Sequence, residues 1–247
     1  MLSSFAYVFD ERLAERKYER EASLLEAELA RNSINGHIAR LTMFRKPKET
    51  IEDLVREGAK HIVFVGDDST LLRMMWFLPD LDATIGFIHL LGGESKLAPL
   101  LGIKQGLEGV AVLASRLTTE VDVGTVGDRY FLSDVIIPDT RAELDVEGRF
   151  RLRPTEGGTI IVANLVEQSS RDGLLDVAVR VPAPPVRFPW QRPQPSPETR
   201  LQMMQGSIRS NEPVTLTVDG QALQGTNFGI GIKPKKMRVL VGKGRKV

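Results

Sequence analysis

Cysteine is absent from this chain of 247 residues. Its absence excludes disulfide bonds, thiolate metal sites and a cysteine nucleophile, and it is compatible with a reducing compartment. An excess of one charge is also absent, because 33 lysines and arginines are balanced by 32 aspartates and glutamates. The net charge of +1 creates no field that would attract nucleic acid. We therefore expect a cytoplasmic protein with no nucleic-acid partner.

Long hydrophobic runs are missing as well. The sequence has no run of about 18 apolar residues, the length that a membrane-spanning helix requires. Charged residues begin at Asp10, which leaves too short an apolar stretch for the core of a signal peptide. We expect neither a membrane span nor export.

The first half of the chain alternates between strand and helix patterns. Continuous apolar runs at 61–65 and 84–88 are typical of strands that are buried on both faces of a parallel sheet. Apolar residues at helical spacing occur at 11–33, 47–58 and 107–117. These patterns predict an α/β N-terminal lobe with a mostly parallel sheet, spanning residues 1–118.

From about residue 119 the pattern changes to short alternating runs that are separated by turn residues. This pattern predicts an antiparallel β-sandwich lobe spanning residues 119–247. Residues 182–197 inside this lobe contain seven of the fourteen prolines. Because proline lacks a backbone donor, we predict an extended surface loop there.

Several short segments stand out for their order and spacing. The strand at 61–65 is followed by Gly66-Asp67-Asp68-Ser69-Thr70, and the strand at 84–88 by Leu91-Gly92-Gly93-Glu94-Ser95-Lys96-Leu97-Ala98. DGLLDV at 172–177 and VDGQ at 218–221 come later. Together these segments resemble the diacylglycerol kinase catalytic-domain family, which includes bacterial lipid kinases and sphingosine kinases and is distantly similar to NAD kinases. The resemblance covers about residues 50–243 and implies an NAD kinase/diacylglycerol kinase-like fold of two lobes.

The resemblance implies a protein that binds ATP and Mg²⁺. The first loop is similar to the G-G-D-G-T nucleotide loop of the family, in which glycines let backbone N–H groups approach phosphate. Asp68 then acts at the nucleotide and the metal, because a carboxylate can hold Mg²⁺ against phosphate oxygens. The residues alone also allow Asp68 to be a helix cap. The resemblance assigns nucleotide binding to Gly66, Asp67, Ser69, Thr70, Gly92, Gly93 and Ser95.

Both loops depart from the family pattern. Asp67 replaces a glycine, and its charge would weaken nucleotide binding unless a cation intervenes or the side chain turns outward. Ser69 replaces another glycine and would strain the loop by roughly 1 kcal/mol if its position needs a positive φ. Gly93, Ser95 and Lys96 stand where the family has Thr, Asn and Asp. Ser95 can still donate a hydrogen bond, whereas Lys96 is either a phosphate ligand or a solvated residue.

Gln221 stands where the resemblance puts a catalytic glutamate that accepts the proton of the lipid hydroxyl. An amide cannot accept this proton, and the loss of a positioned base typically lowers a rate by about 10² to 10⁴. A plain β-turn at Asp219-Gly220 is the alternative interpretation. The resemblance also suggests a structural Mg²⁺ near Asp172, although a single aspartate does not establish a metal site.

The C-terminal stretch contains seven basic residues and no acid: Lys233, Lys235, Lys236, Arg238, Lys243, Arg245 and Lys246. Such a cluster favours peripheral contact with the anionic inner face of a membrane. Arg187, Phe188, Trp190 and Arg192 of the proline-rich loop would then be further lipid contacts. A solvated tail is the alternative.

We therefore predict a lipid-kinase-like phosphotransferase that acts on a diacylglycerol, a sphingoid lipid or another amphiphilic alcohol. The altered residues Asp67, Ser69, Ser95 and Gln221 support a second hypothesis, a pseudokinase or scaffold that binds nucleotide or lipid without catalysis. An NAD-kinase-like enzyme is a third hypothesis, which the segments at 172–176 and 219–221 fit less well. The sequence leaves a homodimer open.

Overall fold

The fold is described from a computed structural model of the chain, over residues 4–41, 46–165, 171–182 and 198–247. Apart from Pro182, the predicted proline-rich loop lies outside the described residues. The same holds for the predicted lipid contacts Arg187, Phe188, Trp190 and Arg192. The chain divides into two compact units, one formed by residues 1–121 and 235–247 and the other by residues 122–234.

Over the part of the chain that the structure describes, the sheet of the first unit contains four parallel strands from the N-terminal half: β1 (Phe5–Phe9), β2 (His37–Arg40), β3 (His61–Gly66) and β4 (Thr84–His89). They lie in the order β2-β1-β3-β4, and each neighbouring pair is parallel. The side chains of β1, β3 and β4 are almost all buried, as expected for strands that are covered on both faces. The predicted α/β region with a mostly parallel sheet is confirmed.

Among the described residues, five α-helices belong to the first unit: α1 (Glu19–Arg31), α2 (Pro47–Arg56), α3 (Asp68–Leu72), α4 (Leu97–Leu101) and α5 (Gly109–Ala114). The helix predicted from residue 11 begins later, because two 3₁₀ turns, Glu11–Ala14 and Arg16–Tyr18, precede α1. Leu25 and Leu29 of α1 pack in one apolar core with Val63 of β3.

The stretch Leu97–Ala114 is long and apolar enough by composition to cross a membrane. It is not one helix, because Gly102 adopts a φ of 67° and ends α4, and α5 begins only at Gly109. Val110 and Leu113 of α5 are fully buried in the core of the first unit. Their burial is accounted for by packing within the unit.

The second unit is built from antiparallel strands. The chain passes into this unit along its first strand and returns to the first unit along its last. The strands are β5 (Thr118–Val126), β6 (Arg129–Phe131), β7 (Asp134–Ile137), β8 (Glu143–Val146), β9 (Phe150–Leu152), β10 (Thr159–Ala163), β11 (Leu175–Arg180), β12 (Glu198–Met203), β13 (Gln205–Val218) and β14 (Gln221–Leu240).

Strands β12, β11, β10, β7, β13 and β14 are neighbours in that order, and β8 pairs with both β13 and β9. Alternate residues of these strands, among them Val135, Ile160 and Leu216, fill one apolar core. The predicted antiparallel C-terminal region is confirmed, and its description as a β-sandwich stays a prediction.

The end of β14 belongs to the first unit, where Val239 pairs in parallel with Ile85 of β4. Residues 235–247 therefore group with the α/β unit, whereas the sequence pattern assigned them to the β-rich lobe.

Candidate functional site

Polar side chains follow neighbouring parallel strands at one edge of the sheet in the first unit. Asp10 follows β1, and Asp67 and Asp68 follow β3. Just after β4, the backbone N–H of Leu90 donates a hydrogen bond to the carbonyl oxygen of Gly66 at 2.9 Å. The loops after β3 and β4 therefore lie side by side at the carboxyl edge, the edge at which open α/β sheets bind ligands.

Asp68 joins these two loops through both carboxylate oxygens. Its Oδ1 accepts from Ser95 Oγ at 2.5 Å, and its Oδ2 accepts from the N–H groups of Lys96 at 2.7 Å and Leu97 at 3.2 Å. Ser95 Oγ in turn accepts from the N–H of Ala98 at 2.8 Å. The side chain of Asp68 therefore caps α4, the helix of the second loop, although Asp68 itself is the first residue of α3.

Asp67 is the N-cap of α3. Its Oδ1 accepts from Ser69 Oγ at 2.6 Å and from the N–H of Thr70 at 3.2 Å. Arg12 Nη1 lies 2.8 Å from Asp67 Oδ2. Burial by itself would raise the pKa of Asp67, but hydrogen bonds from Arg12 and Ser69 hold this pKa well below its usual range. A cation beside Asp67 was one of the two conditions under which its charge would not weaken nucleotide binding. The chain itself supplies such a cation, the guanidinium of Arg12.

Ser69 lies inside α3, so its backbone has no need of a positive φ. The strain considered for this replacement of glycine therefore does not arise. Its hydroxyl is used by Asp67, and the residue is exposed.

Gly66 is required by the packing of the loop itself. A Cβ at this position would lie 2.1 Å from Thr70 Oγ1 and 3.0 Å from the Cβ of Asp10. Thr70 is fully buried, and its hydroxyl donates to Asp10 Oδ2 at 2.8 Å. Gly66 and Thr70 thus pack against each other inside the loop. The side chains of Thr70 and Asp10 occupy the space that a side chain at position 66 would need.

Asp10 is buried and binds two arginines. Arg12 Nε lies 2.8 Å from Oδ1, and Arg73 Nη2 lies 3.0 Å from Oδ2. Burial would raise the pKa of Asp10, but the hydrogen bonds from Arg12 and Thr70 bring it below its usual value. The two arginine side chains keep exposed fractions of 41% and 40%, so each still faces solvent on one side.

The loop after β4 has an open backbone at Gly92 and Gly93. A Cβ at either position would meet no atom within 4 Å, and Gly93 has a φ of 110°, which favours glycine. His89 Nε2 lies 3.1 Å from the carbonyl oxygen of Gly93, and because a carbonyl only accepts, Nε2 carries a proton. The buried Nδ1 of His89 lies 3.9 Å from Asp68 Oδ1 and has no hydrogen-bond partner among the described residues.

Gln221 belongs to the second unit and is the half-buried first residue of β14, directly across the turn from Val218. Asp219 and Gly220 form that turn with φ values of 47° and 79°, the left-handed pair that a tight hairpin needs. The β-turn that the sequence offered as an alternative is therefore present.

Asp219 is more than a turn residue, because it is only 7% exposed. It accepts from the N–H groups of Leu132 at 2.7 Å, Ser133 at 2.8 Å and Asp134 at 3.1 Å. Burial raises the pKa of Asp219 to about 7, although these three hydrogen bonds act in the opposite direction. The carboxylate fastens the β13–β14 turn onto the start of β7.

Known proteins give a likeness in structure but not in sequence. No family model and no curated protein matches the chain. Three solved structures of Bacillus anthracis strain Sterne proteins assigned as diacylglycerol kinases match it with TM-scores of 0.76, 0.75 and 0.73. The chain has a diacylglycerol-kinase-like fold. Sequence identities are 13%, 13% and 12%, with 97%, 100% and 98% of this chain covered and 98%, 99% and 98% of theirs.

The likeness confirms, at the level of the fold, the resemblance drawn from the short motifs. Eight of the residues that the sequence proposed lie in the two adjoining loops, and the hydrogen bonds of Asp68 join one loop to the other. These residues are Gly66, Asp67, Asp68, Ser69, Thr70, Gly92, Gly93 and Ser95. No pattern in the sequence assigned a role at this edge to Asp10, Arg12, Arg73 or His89. The one available signal was that Asp10 follows an apolar strand, but the sequence does not say which strand lies beside it.

Asp172 is exposed, and its Oδ1 accepts from the N–H of Leu174 at 2.9 Å within its own turn. The adjacent Gly173 N–H donates to the buried carboxylate of Asp122 at 2.8 Å. Over the described ranges, no three His, Cys, Asp or Glu side chains are grouped as metal ligands would be. A structural Mg²⁺ near Asp172 therefore stays a prediction of the family resemblance.

Two residues of the basic C-terminal stretch are already paired with acids. Lys236 lies 2.9 Å from Asp80 and Arg238 lies 2.9 Å from Asp82. These exposed pairs lower the charge that the stretch offers to an anionic surface. Membrane contact stays a prediction.

Proposed function

We propose that the chain is a lipid-kinase-like phosphotransferase that transfers the γ-phosphoryl group of ATP to the hydroxyl of an amphiphilic alcohol such as a diacylglycerol or a sphingoid lipid. The observation that carries the proposal is the position of Asp68. Its carboxylate ties the loops after β3 and β4 together at the carboxyl edge of a parallel sheet, in a chain with a diacylglycerol-kinase-like fold.

Phosphate binding is proposed at the second loop, where Gly92 and Gly93 leave their backbone open. Phosphate oxygens can approach N–H groups there because no side chain stands in the way. The exposed side chain of Lys96 adds a positive charge beside them. Gly66 and Thr70 of the first loop support this site by packing, and Asp67 caps α3.

One carboxylate oxygen of the candidate site, Oδ1 of Asp68, is available as a ligand for Mg²⁺. Oδ2 of Asp68 accepts two backbone N–H groups, whereas Oδ1 accepts a hydrogen bond only from Ser95 among the described residues, so Oδ1 retains acceptor capacity. A bound Mg²⁺ would neutralise phosphate charge. The carboxylates of Asp10, Asp67 and Asp68 offset the cations Arg12, Arg73 and Lys96, so free polyphosphate would meet little net positive charge.

A second function is favoured by Asp67 and Gln221, namely binding of nucleotide or lipid without catalysis. Asp67 already uses Ser69 Oγ, the Thr70 N–H and Arg12, which are donors that a phosphate oxygen would otherwise take. Gln221 supplies an amide that cannot act as a general base. Phosphoryl transfer depends mainly on positioning and electrostatics, so these changes lower the expected rate without abolishing the chemistry.

The test is incubation of the chain with labelled ATP, Mg²⁺ and, in parallel, a diacylglycerol, a sphingoid lipid and NAD. We expect phosphorylation of a lipid, with a loss of roughly 10²-fold or more in Asp68→Asn because a charged contact at the phosphates is removed. Asp53→Asn is the matched control, because Asp53 is an exposed residue of α2. Transfer that is equal in Asp68→Asn and Asp53→Asn would overturn the assigned role of Asp68.

Turnover and binding are then separated. If ATP raises the melting temperature but no substrate is phosphorylated, the second function is supported. Transfer that appears only in Gln221→Glu shows that the natural chain lacks its base. Phosphorylation of NAD alone would favour the NAD-kinase-like hypothesis over the lipid one.

A further inference from the structure

A cavity of about 750 Å³ lies in the second unit, at the turn before β8 and beside β13 and β14. All the residues that line it are polar or charged. Pockets for apolar ligands are lined mainly by hydrophobic and aromatic side chains, so this cavity suits a polar ligand.

An irregularity in β13 builds one wall of the cavity. Arg209 pairs with Asn227 and Val214 pairs with Gly225, so residues 210–213 of β13 face the single residue Thr226 of β14. The extra residues leave the ladder, and the N–H of Glu212 donates to Ser210 Oγ at 3.4 Å instead of to a neighbouring strand. Bulges of this kind often re-aim side chains next to binding sites.

Two of the three arginines in the lining are immobilised by carboxylates. Arg141 lies 2.6 Å from Asp139 and 2.6 Å from Glu212, and Arg153 lies 2.8 Å from Glu143. Rigid guanidinium groups lose little conformational entropy when a ligand binds.

Arg209 is the third arginine, and it differs from the other two. Its exposed guanidinium has no hydrogen bond or ion pair within the part of the chain that the structure describes. Glu143, directly opposite on β8, is engaged by Arg153. Three arginines and two glutamates line the cavity, and Asp139 also binds Arg141, so the guanidinium that has no carboxylate partner in the cavity is that of Arg209. An anionic group is therefore favoured beside Arg209.

Uncharged donors and acceptors surround this cation. The side chains of Asn211, Thr226 and Asn227 line the cavity and make no hydrogen bonds to other described residues. Amides and hydroxyls of this kind hydrogen-bond well to the hydroxyl groups of a polyol.

We propose that this cavity binds a phosphorylated polyol, with Arg209 holding the phosphate and Asn211, Thr226 and Asn227 holding the hydroxyl groups. The ligand is either a free polyol phosphate or the headgroup of an anionic phospholipid. The proposal is independent of the phosphotransferase function, because every residue that it uses belongs to the second unit.

The test is calorimetric titration of the full chain with glycerol 3-phosphate, inorganic phosphate and glycerol. We expect glycerol 3-phosphate to bind best, and Arg209→Gln to weaken it about tenfold or more, as expected for the loss of a charged hydrogen bond. Arg151→Gln is the control, because Arg151 is also an exposed cation, lies on the adjoining strand β9 and does not line the cavity. This control is expected to bind within about twofold of the natural chain, because no lining group changes.

Sedimentation with vesicles of phosphatidylglycerol and phosphatidylcholine separates the two sources of the ligand. Binding to vesicles that Arg209→Gln abolishes supports the headgroup, and binding of the soluble ligand alone supports the free polyol phosphate. Equal loss in Arg209→Gln and Arg151→Gln would overturn the proposal, as would no binding of any of these probes. Amide chemical-shift changes confined to residues 66–70 and 92–98 would overturn it as well.

Discussion

Asp67 in the first unit and Asp219 in the second both use a carboxylate to hold backbone N–H groups at a turn. Their surroundings differ both in burial, which is nearly complete only at Asp219, and in the charge beside them. Asp67 has Arg12 at 2.8 Å and a lowered pKa, whereas Asp219 pairs with no lysine or arginine among the described residues and has a pKa raised by burial to about 7. At Asp219 burial therefore outweighs three backbone hydrogen bonds, whereas at the less buried Asp67 the hydrogen bonds and charge of Arg12, with the hydrogen bond of Ser69, outweigh burial.

The largest effect is expected from Asp219→Ala, which would break the anchor of the β13–β14 turn. Three N–H groups would lose their acceptor, and alanine would be strained at a φ of 47°. We expect a loss of about 3 kcal/mol in the free energy of unfolding, measured by urea denaturation. Asp172→Ala, at an exposed Asp-Gly turn, is the control and should cost well under half as much. Equal losses in the two variants would show that the buried bonds of Asp219 contribute little.

The raised pKa of Asp219 also predicts how stability changes with pH. Between about pH 4 and pH 7 the folded state holds a proton at Asp219 that the unfolded state releases. The natural chain should therefore lose stability relative to Asp219→Asn as the pH rises through this window, by at most about 1.4 kcal/mol per pH unit. Denaturation curves of both proteins at several pH values provide the measurement. A difference that stays constant from pH 4 to pH 8 would contradict the raised pKa.

The smallest effect is expected from Asp67→Gly, which removes the carboxylate that competes with phosphate in the first loop. Glycine is a tolerable N-cap, so we expect a stability loss of a few tenths to about 1 kcal/mol. Because Arg12, Ser69 and the Thr70 N–H become available, binding of Mg²⁺-ATP should tighten about tenfold in a calorimetric titration. Asp67→Asn separates the two causes, since it keeps a capping oxygen and removes the charge. Weaker nucleotide binding in both variants would mean that Asp67 supports the site instead of competing for it.

The sequence pattern was sufficient for the strands that form the core. The apolar runs at 61–65 and 84–88 became β3 and β4 almost to the residue, because only a doubly covered parallel sheet buries such runs. The helix predicted over 11–33 starts eight residues late in the structure, since Glu11–Ala14 and Arg16–Tyr18 form 3₁₀ turns beside the buried Asp10. Local spacing does not reveal such a tertiary contact.

The two loops show the same limit. The sequence identified Asp68 as a polar residue after a buried strand, but its partners Ser95, Lys96 and Leu97 lie 27 to 29 residues away. The bond between Thr70 and Asp10 spans 60 residues. No pattern of neighbouring residues contains either contact, so the sequence predicted the members of the site without the bonds that join them.

The sequence by itself determined that an α/β region is followed by a region of antiparallel strands, because strand and helix periodicity depend on residues a few positions apart. It also determined the turns, since Gly93, Gly102 and Gly220 adopt backbone conformations that glycine favours. Tertiary structure alone decided that Arg12 contacts Asp67, that Asp68 caps α4 and that Asp219 is buried. Charge and protonation depend on which distant groups meet in space, and that information arises only when the chain is folded.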